Sequence, residues 1–326
     1  MKLPTLDDFL DSCHVVTLPL RVRFRGVRER EAVVFQGPAG WGEFSPFLEY
    51  DVTEAAAWLR CGLEMAYLGP PEQMRDKVEV NATVPAVETW QIDEVLARFP
   101  GCRTIKVKVA EKGGTLAQDQ ARIEAVRAFA PGAIIRVDAN GGWSVDEALI
   151  AAQELGPIDY MEQPCATVEE LTELRQRLVS KNLHIKVAAD ESIRKATDPF
   201  AVAKKGAADV AVVKAAPLGG PRAVLEVAEF MRNNGLDITV SSALDTGVGM
   251  NAGLAAAAVL PDHSAPDGLA TQRLFVADIT AQRPLIDGYL DTTPLSPEPE
   301  RLAEFAATGE RKDFWVNRIK QTWKLL

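Results

Sequence analysis

Apolar and polar positions alternate from His14 to Pro19, from Glu31 to Gln36 and from Gly40 to Phe44, with turn signals at Arg25-Gly26 and Gly37-Pro38-Ala39-Gly40 between them. A period of two that restarts after each turn predicts an antiparallel meander with one buried face. Thr53 to Leu68 then adopts helical spacing, with Thr53 as its cap and Gly69-Pro70-Pro71 as its stop. Residues 1–76 therefore read as an α+β module.

From residue 77 the pattern changes to short β-branched runs, each followed by a helical stretch, at 78–85, 104–110, 134–140, 159–164, 185–192, 208–217, 237–245 and 265–271. Asn81, Lys108, Asp138, Glu162, Asp190, Lys214, Ser241 and Asp267, one from each run, follow each other at intervals of 24 to 30 residues. That interval is close to the ~30 residues of one βα unit. Eight such units predict an α/β fold, a (β/α)8-type barrel over residues 77–285, whose eighth run is the weakest and whose eighth helix is short. Residues 286–326, charged from Ser296-Pro297-Glu298 onward, are expected to pack back on the first module. The result would be an α+β capping domain built from the N- and C-terminal segments, with the stretch Leu18 to Arg25 closing over the barrel mouth.

Composition narrows the chemistry. With 36 basic and 46 acidic side chains the net charge is −10, which offers no footprint for nucleic acid or an anionic membrane. No apolar stretch approaches the ~20 residues of a membrane span and no signal-peptide pattern opens the chain, so a cytoplasmic location is expected, with a monomer as the expected assembly. The four cysteines lack metal-site spacing and the three histidines are isolated. Carboxylates and lysines are left to carry any catalysis.

Their placement is informative. Barrel strands should be apolar, yet Asn81, Lys106 and Lys108, Asp138 and Asn140, Glu162, Asp190 and Glu191, Lys214, and Ser241-Ser242 fall at the C-terminal ends of successive runs. That end of a barrel carries the active site. Asp138, Glu162 and Asp190, on consecutive strands, would repel unless a cation joins them; an all-oxygen set with open positions suits Mg²⁺, with Mn²⁺ as a substitute. The plain alternative is an ion-pair network with Lys106, Lys108, Arg136 and Lys214. Lys106 and Lys108 point the same way from one strand, and two adjacent ammonium groups should depress each other's pKa toward the range of a general base. Lys214 faces them from across the barrel. Together these groups imply abstraction of a proton α to a carboxylate of a small molecule, leading either to racemisation or epimerisation, with Lys214 serving the opposite face, or to dehydration, with Lys214 as a fixed cation.

At these positions the chain resembles the enolase superfamily in its muconate-lactonising branch. Lys106-Val107-Lys108, Arg136-Val137-Asp138-Ala139-Asn140, Met161-Glu162-Gln163-Pro164, Ala189-Asp190-Glu191-Ser192 and Val213-Lys214 match family motifs in order. The mandelate-racemase branch would place a histidine where this chain has Ser241-Ser242-Ala243-Leu244-Asp245. Within the lysine branch, Pro19 to Gly26, Gly37 to Pro46, Arg136 and Ser241 to Gly247 are most similar to the o-succinylbenzoate synthase family, which implies a Mg-assisted hydro-lyase of menaquinone biosynthesis. N-succinylamino acid racemases and dipeptide epimerases are the alternatives, although the latter carry an Asp-x-Asp where this chain has Asp267-Gly268. A catalytically silent metal-binding member is a third. The resemblance implies Lys108, Lys214 and Lys106 as catalytic residues, Asp138, Glu162 and Asp190 as metal ligands, and Arg136, Asn140, Ser241, Ser242 and Gly247 as substrate contacts. The helix opened by Gly247-Val248-Gly249 would receive a succinyl carboxylate at its N-terminus.

Overall fold

The computed structural model describes residues 3–24, 26–194 and 199–326, so Arg25, the end of the expected closing stretch, lies outside the described residues. A short helix α1 (Leu6–Asp11) leads into the meander β1 (Cys13–Phe24), β2 (Val27–Gly37) and β3 (Gly40–Phe44), antiparallel in that order. β1 and β2 pair regularly from Cys13↔Phe35 to Pro19↔Glu29 and then shift register before Phe24↔Val27. Proline has no N–H to give the ladder, and the irregularity beyond it re-aims the strand ends. Pro19 accepts instead from the Val276 amide at 2.8 Å and Leu20 bridges Phe275, which brings the hairpin over the barrel. Helix α2 (Val52–Tyr67) lies across the meander. Its cap is Asp51 rather than Thr53: the Asp51 carboxylate takes the Glu54 amide at 2.8 Å while Glu54 takes the Asp51 amide.

The run at 78–85 is two strands in two sheets. β4 (Lys77–Glu79) belongs to a small antiparallel sheet, and β5 (Ala82–Val84) begins the barrel. There follow α3 (Ile92–Leu96), β6 (Thr104–Lys108), α4 (Leu116–Phe129), β7 (Ile134–Asp138), α5 (Val145–Glu154), β8 (Tyr160–Glu162), α6 (Val168–Ser180) and β9 (Lys186–Ala189). After them come α7 (Glu191–Arg194), α8 (Ala201–Lys204), β10 (Val210–Val213), α9 (Ala215–Leu218), α10 (Pro221–Asn233), β11 (Asp237–Val240) and α11 (Met250–Val259). β5 through β11, omitting none, form one parallel sheet in sequence order. Pro266-Asp267-Gly268 stands where an eighth strand would, joined by single parallel bridges Val80↔Asp267 and Ser241↔Gly268. Pro266 lacks the donor that a longer ladder needs, so closure rests on isolated bonds. A single 3₁₀ turn, Thr271–Leu274, replaces the eighth helix.

Helix starts are fixed by side chains that face the loops at the strand ends. Thr115 with Gln118, Ser144 with Glu147, and Thr167 with Glu170 form reciprocal caps at α4, α5 and α6, each contributing about 1 kcal/mol. Burial in α10 falls on Val224, Val227, Ala228 and Met231, one face of a helix. The C-terminal part opens with the hairpin β12 (Leu285–Ile286) and β13 (Tyr289–Asp291), which pairs with β4 beside the barrel. Then α12 (Pro299–Glu304) and α13 (Gly309–Trp323) return to the meander. Thr17 donates to Phe305 at 2.9 Å and Ala307 to Val15 at 2.8 Å, covering the open edge of β1. Arg318 of α13 donates to the carbonyls of Pro46, Phe47 and Tyr50. Among the described residues no helix is long and apolar enough to cross a membrane.

Candidate active site

Parallel register brings the charged groups together. Lys108 pairs with Asp138, Asp138 with Glu162, and Glu162 with Ala188, two residues short of Asp190. A two-residue step returns to the same face, so the three carboxylates and Lys108 share one side of the sheet. All are buried: Asp138 is 1% exposed, Glu162 and Asp190 0%, Lys106 6%, Lys108 4% and Lys214 3%.

Each carboxylate is met by cations. Lys108 Nζ lies 2.6 Å from Asp138 Oδ2 and donates to Asn140 Oδ1 at 2.6 Å. Lys106 Nζ spans both Glu162 oxygens at 2.7 and 2.8 Å and stands 3.5 Å from Asp138. Lys214 Nζ lies 2.5 Å from Asp190 Oδ2, and Arg194 Nε meets the other Asp190 oxygen at 3.0 Å. The ion-pair alternative thus describes the contacts present. The expectation that the paired lysines lower each other's pKa fails for Lys106. Burial pushes its pKa down, but the charges of Glu162 and Asp138 outweigh that and raise it well above the ordinary lysine value. The carboxylates touch the ammonium group and decide its charge.

Among the described residues no three His, Cys, Asp or Glu side chains stand ready, as they lie, to grip one ion. The donor set nevertheless fits a divalent cation. Glu162 is raised above the ordinary carboxylate range by burial and by Asp138, then also by Asp190, even though Lys106 works the other way. Three lysines and Arg194 balance the three carboxylates where they lie, yet burial and carboxylate–carboxylate repulsion still outweigh them at Glu162. Oxygen-only donors on three adjacent strands match a hard dication.

Sequence reasoning passed over the residues that hold this cluster. Gln163, at φ +38°, accepts from the Asp190 and Ser192 amides at 3.0 and 3.1 Å and donates to Ser192 Oγ at 2.8 Å, tying β8 to the end of β9. Arg194, four residues after Asp190, bonds Asp190, Glu191 and Tyr50 of the capping part. The four-residue spacing was the available signal. Phe24, at the end of β1, places its ring 5.2 Å from Lys108 Nζ, a cation–π distance no local pattern announces.

Phe24, Thr83, Lys106, Lys108, Asp138, Lys214, Ser241, Ser242, Leu244, Gly268 and Thr271 enclose one cavity of about 20 Å³. That is room for about one water. Ser241 and Ser242 therefore face the two lysines, and Asn140 joins them through Lys108. Two expected substrate contacts are placed elsewhere. Arg136 turns its guanidinium toward the opposite end of the strands, donating to Asp159 at 3.0 Å and to the Pro266 carbonyl at 2.6 Å, and stacks on Tyr160 at 4.6 Å. It lines a separate cavity of about 390 Å³ at the strand starts. Gly247 donates its amide to Asp278 at 2.8 Å, and Thr280 and Gln272 fill the space beside its Cα. The N-terminus of α11 is likewise taken: Glu43 accepts from the amides of Thr246 and Gly249 at 3.3 and 3.1 Å. Two of the protein's own carboxylates occupy the place expected for a succinyl group. Asp267 is also engaged, by the Val240 amide at 2.7 Å and by His263 at 2.9 Å.

Comparison with known proteins identifies the family. The family described as "Enolase C-terminal domain-like" matches residues 91–296, and "Enolase N-terminal domain-like" matches 15–66. An o-succinylbenzoate synthase of Mycobacterium leprae (strain TN) is 53% identical over 99% of this chain and 95% of its own. One of Mycolicibacterium smegmatis (strain ATCC 700084 / mc(2)155) is 53% identical over 97% of each. Among solved structures, a muconate lactonizing enzyme from Pseudomonas fluorescens complexed with muconolactone superposes with a TM-score of 0.76 at 24% identity, covering 91% of this chain and 98% of that one.

Proposed function

The chain belongs to the o-succinylbenzoate synthase family, in the muconate-lactonising branch of the enolase superfamily, and from that premise we propose how its residues carry out the family's dehydration. The substrate is a small carboxylate, 2-succinyl-6-hydroxy-2,4-cyclohexadiene-1-carboxylate, and the product 2-succinylbenzoate, a step of menaquinone synthesis. Asp138, Glu162 and Asp190 would hold the divalent ion, Mg²⁺ with Mn²⁺ as its substitute. Bound there, the ion supplies a Lewis acid for the substrate carboxylate.

Lys108 in its amine form takes the proton from the carbon α to the carboxylate, and the electron pair moves into the carboxylate as an enediolate. The pair returns to form the ring double bond as the neighbouring C–O bond breaks. The departing hydroxide collects the proton from the Lys108 ammonium on the same face and leaves as water. Lys214, held by Asp190, keeps a positive charge on the far side of the intermediate. Lys106, raised in pKa by Glu162 and Asp138 after burial works to lower it, stays charged and steadies the cluster. Ser241 and Ser242 line the wall beside the substrate, and Phe24 excludes water over Lys108. We place the enzyme in the cytoplasm as a monomer, which light scattering on the purified chain tests.

The observation that supports this reading is that Lys108 and Lys214, from β6 and the end of β10, border one cavity with Asp138. The same two-sided arrangement favours N-succinylamino acid racemisation as a second reading. Purified enzyme with Mg²⁺ should dehydrate the cyclohexadiene carboxylate, followed by loss of diene absorbance. In parallel, each enantiomer of an N-succinylamino acid is incubated in D₂O. Exchange of both without dehydration overturns the synthase reading.

A further inference from the structure

Glu43, Asp245, Asp267 and Asp278 take no part in the chemistry yet are buried, and of these four Glu43 belongs to the capping part. Glu43 on β3 is 7% exposed and reaches across to the segment between β11 and α11. Its Oε2 accepts from the Thr246 hydroxyl at 2.5 Å, the Thr246 amide at 3.3 Å and the Gly249 amide at 3.1 Å, while Ser45 Oγ donates to Oε1 at 2.6 Å. We propose that Glu43 is the positioning residue for the β11 wall of the active site, the internal carboxyl group whose oxygens seat residues 241–249 opposite Lys108 and Lys214.

The surroundings are built for that contact. A Cβ on Gly249 would collide with the Glu43 carboxyl, so glycine leaves the space the carboxylate fills. On the other side, Gly42 and Gly62 press β3 against α2 so closely that a Cβ at either would strike the facing backbone. Glu43 is therefore offered from a fixed strand. A partial positive charge at the start of the ten-residue helix α11 receives it.

A second arm grips the same segment. Arg30 of β2 donates to Leu244 O at 3.0 Å and Ala243 O at 3.4 Å, and binds Ser45 through its carbonyl and hydroxyl. Between the two anchors Leu244 is held at φ +61°, and the Ala243 amide donates to Asp245 at 3.0 Å. A leucine rarely adopts that conformation unless its neighbours impose it. Ser241, Ser242 and Leu244 all border the cavity with both lysines, so the clamp determines where that wall stands. The capping part thereby shapes the site from two directions: Phe24 from above and Glu43 through the loop.

The test compares Glu43→Ala and Glu43→Gln in the full chain. In Glu43→Ala, amide hydrogen exchange over 241–249 should rise about tenfold while peptides of β7 and β8 keep their protection. Glutamine retains an oxygen for the three donors and should hold exchange near that of the unaltered chain. With the cyclohexadiene carboxylate, Glu43→Ala should raise KM about tenfold and lower kcat, because a displaced wall misplaces the substrate. Partial unfolding alone would lower kcat with the folded fraction and leave KM. Should Glu43→Ala not fold, Ser45→Ala removes the single donor on Oε1 and should give a smaller rise in exchange at the same segment. Unchanged exchange at 241–249, or an unchanged KM, overturns the assignment. The kinetic arm rests on the synthase reading: an unaltered chain that fails to dehydrate overturns that reading alone, and the exchange arm still decides this one.

Discussion

Lys108 and Lys214 carry unequal loads in a reaction confined to one face. Lys108→Ala removes the group that moves both protons, and kcat should fall by about 10²- to 10⁴-fold. Lys214→Arg keeps a cation beside Asp190, so dehydration should survive far better than any exchange of an N-succinylamino acid in D₂O; equal damage to both would assign Lys214 a proton of its own. Arg136 gives the contrasting case. The family resemblance implied a substrate contact there, but a motif does not report which way a long side chain leans along its strand. Stacked on Tyr160 and bonded to Asp159 and Pro266, it serves the barrel floor. Arg136→Met should therefore lower stability by about 1–3 kcal/mol with KM unchanged, measured by urea unfolding beside steady-state kinetics. A tenfold rise in KM at unaltered stability would return Arg136 to the site.

Among elements, those with strong local signals were readable and those set by distant partners were not. The meander and seven barrel strands follow from periodicity, whereas the Thr-x-x-Gln, Ser-x-x-Glu and Thr-x-x-Glu spacings that cap α4, α5 and α6 were local signals left unread. The division of 78–85 was invisible, since Val78 and Val84 are equally apolar and only the C-terminal hairpin chooses β4 as its partner. The same limit hid Glu43 and Asp278, whose ligands lie 203 and 31 residues away. The β1–β2 hairpin is the element most exposed to test. Its Phe24 lines a cavity of about 20 Å³, too small for the substrate, so that ring must move for entry. Phe24→Ala removes the ring over Lys108, a contact worth about 0.5–2 kcal/mol, and should lower kcat/KM by about tenfold with little change in thermal unfolding. A value of kcat/KM equal to that of the unaltered chain would make the ring a spectator.

For the whole molecule the acidic cluster and the seat of the capping part set the conditions of activity. Turnover should disappear after exhaustive EDTA treatment and return with Mg²⁺, because the oxygen-only donors of Asp138, Glu162 and Asp190 on adjacent strands suit a hard dication; full activity in EDTA would remove the metal from the scheme. The interface between the parts adds a dependence on pH. Burial, then the nearby charge of Asp245, pushes Glu43 up from 4.5 to about 7, against the opposing pull of Ser45, Thr246 and Arg30. The buried Cys61 of α2 faces both carboxylates as well. A proton bound more tightly in the folded chain than in the unfolded one stabilises the fold fully below pH 4.5, and that contribution is lost as pH rises through about 7. The whole swing is about 3 kcal/mol. Glu43→Gln mimics the neutral acid at every pH while keeping an oxygen for Thr246 and Gly249. The stability of the Gln variant relative to the unaltered chain should therefore climb as pH rises from about 5 to about 8, read as the difference in urea midpoints. Asp245 remains in both proteins and its charge acts on Glu43, so the difference reports the pair, with Glu43 as its changed member. A difference that stayed constant over that interval would show that Glu43 is already ionised at its lower end, and that the carboxylate, rather than the neutral acid, joins the capping part to the barrel throughout.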